Sequence, residues 1–219
     1  MIPVVILASG RGSNFEALYR QNSENAESGV FQIQAVLSDQ PQALVLKKAE
    51  QWGIPALSVP FPEARSCMSL TERRLEHGKK ILDQLAVFKP RFLILAGYMR
   101  ILSPIVIEAF RSERGYSRIV NIHPSLLPAF PGVHSYAQAF EYGAKVAGVT
   151  IHLVDEGLDL GPVCAQEAFS IADCKSAQEV EKKGLAIEHR LFAKSLSWIL
   201  PENFKVEKRE KGRLCVSEN

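Results

Sequence analysis

The chain has 219 residues, 47% of them hydrophobic and 23% charged, the proportions of an ordinary soluble globular protein long enough to bury a core without disulfide or metal staples. Its 26 basic and 24 acidic residues leave a net charge of +2, which gives no general attraction to nucleic acid or anionic membranes, so any anion must be held by a local site. No apolar run reaches the ~18 residues of a membrane span, and the first residues lack the basic start of a signal peptide, so a soluble, cytoplasmic protein is expected.

Short apolar runs alternate with longer helical patterns. Val4 to Ala8 reads as a strand buried on both faces. Ser13 and Glu16 then predict a capping box, with Phe15, Leu18 and Tyr19 on one helical face. Phe31 to Leu37 is a second strand, Gln42 to Trp52 a helix stopped by Gly53, and Ala56 to Val59 a third strand. Ser69 and Glu72 predict the cap of a helix reaching Val87, with Ile81, Leu82 and Leu85 inward. Phe92 to Ala96 is the clearest buried strand, and Ser103-Pro104 opens another helix. Arg118 to Asn121 is a strand, and Ser135 to Tyr142 a short helix ended by Gly143. Val149, Ile151 and Leu153 alternate with Thr150 and His152, the pattern of a half-buried strand, and Val163 to Ile171 follows as the last. Ser176 and Glu179 predict a third capping box, opening a helix to Leu200.

Strand and helix in strict alternation predict an α/β fold, a Rossmann-like three-layer sandwich with a mostly parallel central sheet covered by helices on both faces. One domain over residues 1–200 is expected, with 201–219 a C-terminal tail or hairpin. The four cysteines, Cys67, Cys164, Cys174 and Cys215, form no C-x-x-C pair or zinc spacing and read as free thiols.

Four constellations carry chemistry. Ser9-Gly10-Arg11-Gly12-Ser13-Asn14 follows the first strand and opens a helix. Its glycines let the backbone approach an anion, helical N–H groups point at it, and Arg11 adds charge. The same residues also suit a plain strand-to-helix turn, since Phe15 stands where a dinucleotide fingerprint needs its third glycine and no Walker lysine follows. Asn121-Ile122-His123-Pro124 ends a strand, and alternation puts Asn121 and His123 on one side. An amide donates to a developing oxyanion and an imidazole moves a proton near neutral pH, although a structural histidine has the same signature. His152 to Gly161 places Asp155, Glu156 and Asp159 in a glycine-bounded loop, either a solvated acidic turn or a carboxylate set beside a histidine. Its ligands are all local, so no metal is expected. Gly97-Tyr98-Met99-Arg100-Ile101-Leu102 follows the most buried strand, fit to line a flat heterocycle or to fill the core.

Together, in this order and spacing, these runs resemble the folate-dependent glycinamide ribonucleotide formyltransferase family over residues 2 to 199. Asn121 to His134 is the most specific stretch. The resemblance implies formyl transfer from 10-formyltetrahydrofolate, as co-substrate, to the amine of the ribonucleotide in purine synthesis. It implies Asn121, His123 and Asp159 as the catalytic trio. Arg11, Gly12, Ser13 and Asn14 would hold the ribonucleotide phosphate and Glu188 would lie near its ribose. Arg74, with Arg73 the alternative, would contact the folate, as would Met99, Arg100, Ile101, Leu102 and Asn121. Val154, Asp155, Glu156, Gly157, Leu158 and Asp159 would close over it. The implied partners are small molecules, with no metal, nucleic acid or membrane, in a monomer or homodimer.

Two positions and one segment depart from the family's pattern. Arg11 stands where Asn is frequent, Leu160 where Gly is frequent, and 111–117 runs longer. The rival readings are a formyltetrahydrofolate hydrolase and a non-catalytic nucleotide-binding module. The hydrolases follow the histidine with a second one, where this chain has Pro124.

Overall fold

The structure, a computed structural model, describes residues 1–24, 29–64, 68–209 and 214–219, so the expected free thiol at Cys67 lies outside the described residues. The chain folds as two compact units, Met1–Val120 and Asn121–Asn219.

The first unit holds β1 (Ile2–Leu7), α1 (Ser13–Glu24), β2 (Phe31–Ser38), α2 (Leu44–Gln51), β3 (Ala56–Ser58), α3 (Leu70–Phe88), β4 (Phe92–Leu95), α4 (Pro104–Ala109) and the start of β5 (Ile119–His123). Wherever the sequence sets a bound in this unit, the element lies within two residues of it. The strands run in the order β3-β2-β1-β4, and β1 pairs in parallel with both β2 and β4. Val4 sits between Ile33 and Phe92, which is why Val4 to Leu7 are fully buried and read as an unbroken apolar run. The chain winds from β1 outward to β2 and β3, then returns to the other side of β1 for β4. That reversal is a topological switch point, and the carboxyl ends of β1 and β4 flank it.

Ser69 caps α3 as the sequence predicts, with its hydroxyl on Glu72 N and the Glu72 carboxylate on Ser69 N. The expected box at Ser13 does not form. Ser13 is already helical, Gly12 supplies the first carbonyl, and Glu16 turns away to Lys48 and Arg20, both at 2.6 Å. A lysine from another helix outcompetes a local backbone N–H for that carboxylate. Tyr19 stacks on Trp52 with centroids 4.2 Å apart, and Phe15 packs 5.3 Å from the same indole.

The second unit holds the rest of β5, α5 (Ser135–Glu141), β6 (Val146–Leu153), β7 (Val163–Ser170), α6 (Ala177–Ile199), β8 (Phe204–Lys208) and β9 (Leu214–Glu218). Here β6 lies between β5 and β7 and pairs antiparallel with β7. The expectation of a half-buried β6 is corrected. Seven of its eight residues are buried, Thr150 and His152 included, because it is an inner strand covered on both faces. The alternation belongs to β7, where half-buried and exposed residues take turns from Ala165 to Ser170. At α6 the Ser176 hydroxyl accepts from Glu179 N as predicted, but the Glu179 carboxylate takes the N–H of Lys175 instead of closing the box on Ser176. β8 and β9 form an antiparallel pair, anchored by Phe204, which is buried with its ring 6.1 Å from Trp198. Cys164, Cys174 and Cys215 are free thiols, and burial pushes the Cys164 thiol up to about 12. No helix among the described residues is long and apolar enough to cross a membrane.

Candidate active site

In the first unit the loops after β1, β2 and β4 are tied together at the switch point. Ser9 N donates to Gly97 O at 3.0 Å, and Met99 N donates to Ser9 Oγ at 2.8 Å. Ser9 Oγ in turn donates to Asp39 Oδ1 at 2.5 Å, while Arg100 Nε donates to Asp39 Oδ2 at 2.7 Å. Burial works to raise the Asp39 pKa, but the hydrogen bonds from Ser9, Arg100 and Gln40 overcome it, and the carboxyl is held below its usual range. The Arg100 guanidinium also lies 4.8 Å over the Phe61 ring, which Arg73 covers at 4.9 Å.

Gly12 shapes the first of these loops. Its φ of +71° lies in the left-handed region, and a Cβ there would meet Val45 Cγ2 at 2.6 Å, so both conformation and space demand glycine. Val45 N donates to Gly10 O at 3.2 Å and braces the loop from behind. Arg11 is exposed, Gly12 and Asn14 are buried, and Ser13 is half-buried at the head of α1. Of the expected folate contacts, Met99 and Ile101 are 62% and 43% exposed, but Leu102 is core. Arg100 has its Nε committed to Asp39. Arg73 donates through Nε and Nη2 to Pro62 O, so of the two arginines it is the one spent on its own chain.

The catalytic trio expected from the sequence meets within the second unit. Asn121 and His123 sit on β5, and Asp159 on the loop between β6 and β7. His123 is 4% exposed, with Nδ1 3.4 Å from Asp159 Oδ2. Its Nε2 lies 3.0 Å from Phe130 O and 3.2 Å from Ser135 Oγ. A carbonyl only accepts, so Nε2 carries a proton and Nδ1 is the nitrogen turned to the carboxylate. Asp159 adopts φ +53°, and its Oδ2 accepts from Gly132 N at 2.8 Å.

His152 completes the array. Its Nδ1 lies 3.0 Å from Leu153 O and must be the donor there, which leaves the Nε2 lone pair to accept from Asn121 Nδ2 at 3.0 Å. Burial lowers the His152 pKa below its ordinary value and keeps the ring neutral, in the state that bond requires. His152 Nε2 is 3.8 Å from Asp159 Oδ1, so the acid faces both imidazoles.

The turn after His123 is clamped from below. Thr150 Oγ1 donates to Ser125 O at 2.6 Å and accepts from Leu127 N and from Gln166 Nε2. Gln166 also donates to Leu127 O at 2.9 Å. With its hydroxyl saturated, Thr150 sets the course of the chain toward Phe130, whose carbonyl holds the His123 ring.

Sequence reasoning missed Asp39, Phe61 and Ser135, included Ser9 in the first loop without a role of its own, and weighed His152 only beside the acids of its loop. The signal for His152 was available: it falls on the same strand face as Thr150, a polar pair in an apolar run. Of the expected loop contacts, Val154 and Asp155 are half-buried, while Glu156, Gly157 and Leu158 are exposed. Glu188 is buried in α6. No group of His, Cys, Asp and Glu among the described residues is arranged to hold a metal ion.

A parallel α/β sheet with its loops joined at a switch point, together with a histidine–carboxylate pair near a histidine-held amide, defines a protein equipped for transfer at a carbonyl carbon. The chain belongs to the formyl transferase family, which it matches over residues 2–196. It is 37% identical over 204 residues to phosphoribosylglycinamide formyltransferase of Bacillus subtilis, covering 93% of this chain and 97% of that one. The protein of the same name from Escherichia coli is 31% identical over 216 residues, covering 99% and 91%. Among solved structures, glycinamide ribonucleotide transformylase 1 of Symbiobacterium toebii aligns with a TM-score of 0.84 and 31% identity, over all of this chain and 95% of that one.

Proposed function

We propose that the chain transfers the formyl group of 10-formyltetrahydrofolate to the amine of phosphoribosylglycinamide, a step of de novo purine synthesis, in the cytoplasm. The observation that carries this reading is the array of Asn121, His152, Asp159 and His123 within one unit.

The amine attacks the formyl carbon, a new C–N bond forms, and negative charge builds on the formyl oxygen. Asn121 has two amide hydrogens, and His152 takes one. The second is a donor for the oxyanion. His123 Nδ1 is the other donor, because Nε2 is committed to Phe130 and Ser135. As the C–N10 bond breaks, the proton lost by the amine passes to N10. Asp159, facing Nδ1, orients the ring and shares the proton during that transfer. No step requires a metal.

Gly12, Ser13 and Asn14, with Arg11, are assigned to the phosphate through the first-turn N–H groups of α1. Met99, Ile101 and the backbone of Arg100 are assigned to the pterin. Leu102, though a family match, supports that surface from the core. Arg74 is assigned to the folate in preference to Arg73, which its bonds to Pro62 hold back. Val154 to Asp159 would close over the folate, and Glu188 would read the ribose.

The test mixes the purified protein with 10-formyltetrahydrofolate and follows folate absorbance with and without phosphoribosylglycinamide. Transfer that depends on the ribonucleotide is expected. Formate release at the same rate without it would replace this reading with the hydrolase.

A further inference from the structure

Tyr136 on α5 reaches Glu188 on α6. Its hydroxyl donates to Glu188 Oε1 at 2.7 Å, and the two residues are 7% and 6% exposed. Glu188 shares its side of the helix with buried Gly184, Leu191, Phe192 and Ser195, where an apolar residue would cost nothing to bury and a carboxylate costs heavily unless it is held.

The helix is cleared for this contact. Gly184 lies one turn before Glu188, and a Cβ there would sit 2.2 Å from both Cζ and the hydroxyl oxygen of Tyr136. The ring therefore crosses the bare backbone of α6 at Gly184 and delivers its hydroxyl one turn on. Phe169 packs edge-on at 6.2 Å and fixes the ring from the β7 side. Burial, and then the charge of Glu188, push the phenol above its ordinary range, so it stays a donor at any working pH.

We infer that Tyr136 is a positioning residue for the ribonucleotide, its hydroxyl holding the Glu188 carboxylate in the orientation that reads the ribose hydroxyls. This rests on the assignment of Glu188 to the ribose made above. Tyr136 itself touches no reacting atom.

The test compares Y136F, which keeps the ring and removes only the hydroxyl, with E188Q. Each substrate is varied in turn, and a ribonucleotide analogue lacking one ribose hydroxyl is included. Y136F is expected to raise the ribonucleotide KM roughly 3–10-fold, the size of one net hydrogen bond, with kcat and the folate KM within about twofold of wild type. It should also narrow the preference for the intact ribose over the analogue. A change in melting temperature with both KM values and the ribose preference intact would make Tyr136 structural and overturn the inference. An E188Q variant with a normal ribonucleotide KM would remove the ribose assignment itself, and the positioning role with it. A raised KM in E188Q beside a normal one in Y136F would overturn the role of Tyr136 alone.

Discussion

The ends of β1 and β5 are built by different means. After β1 the chain offers backbone: a glycine in the left-handed region, helical N–H groups, and a loop braced by Val45 from behind. After β5 it offers side chains, and all four nitrogens of the two imidazoles face a named partner. Recognition by backbone would tolerate changes of side chain such as Arg11, where the family often has Asn. A network of side-chain hydrogen bonds tolerates almost none, because each deletion strands a buried partner.

That contrast breaks if the β5 end survives substitution. His123→Ala and Asp159→Asn are each expected to lower kcat by ~10²–10⁴ with melting temperatures within a few degrees of wild type. Near-normal turnover in either, by the absorbance assay, would reject the assigned roles. Asn121→Ala is expected to cost ~10²–10³ in kcat. His152→Gln should lose less, about tenfold, because the glutamine oxygen can still accept from Asn121. Equal losses at 121 and 152 would mean that His152 does more than orient the amide.

The β1 end is expected to show the reverse dependence. Gly12→Val should raise the ribonucleotide KM at least tenfold and lower stability by ~1–3 kcal/mol, since it adds strain and a clash with Val45. Arg11→Ala should raise the same KM only a few-fold, an effect that shrinks with added salt. An unchanged KM would remove Arg11 from the phosphate.

The smallest effect concerns pH and involves both units. His77, whose Nε2 lies 2.8 Å from Val59 O, and His152 are buried, and burial lowers each pKa from the ordinary 6.5. The unfolded chain therefore takes up protons near 6.5 while the folded chain does not. Their contribution to stability is complete above that pH and is lost as pH falls below it. Urea midpoints should drop between about pH 7.5 and pH 5.5, and less steeply in His77→Gln. Identical slopes would assign the acid sensitivity to other groups.

Much of the fold was legible because its signals are local. Unbroken apolar runs such as Val4 to Leu7 mark strands buried on both faces, and Ser69 with Glu72 sets a helix start within four residues. The misreadings came where a distant residue competed. Glu16 left its expected cap for Lys48, 32 positions away, and β6 looked half-buried because polar Thr150 and His152 are buried for their hydrogen bonds.

By itself the sequence determined the α/β class, the element bounds to within a few residues and the family, and it brought Asn121, His123 and Asp159 forward as the candidate trio. These follow from periodicity and from motifs, which are contiguous in the chain. Only the tertiary structure decided that His152 holds the Asn121 amide, that Phe130 and Ser135 take Nε2 of His123 and leave Nδ1 facing Asp159, that Asp39 claims Arg100, and that Tyr136 reaches Glu188. The reason is physical: a buried polar group must find a partner wherever the topology supplies one, and partners 31, 61 or 52 residues apart leave no mark in a local pattern.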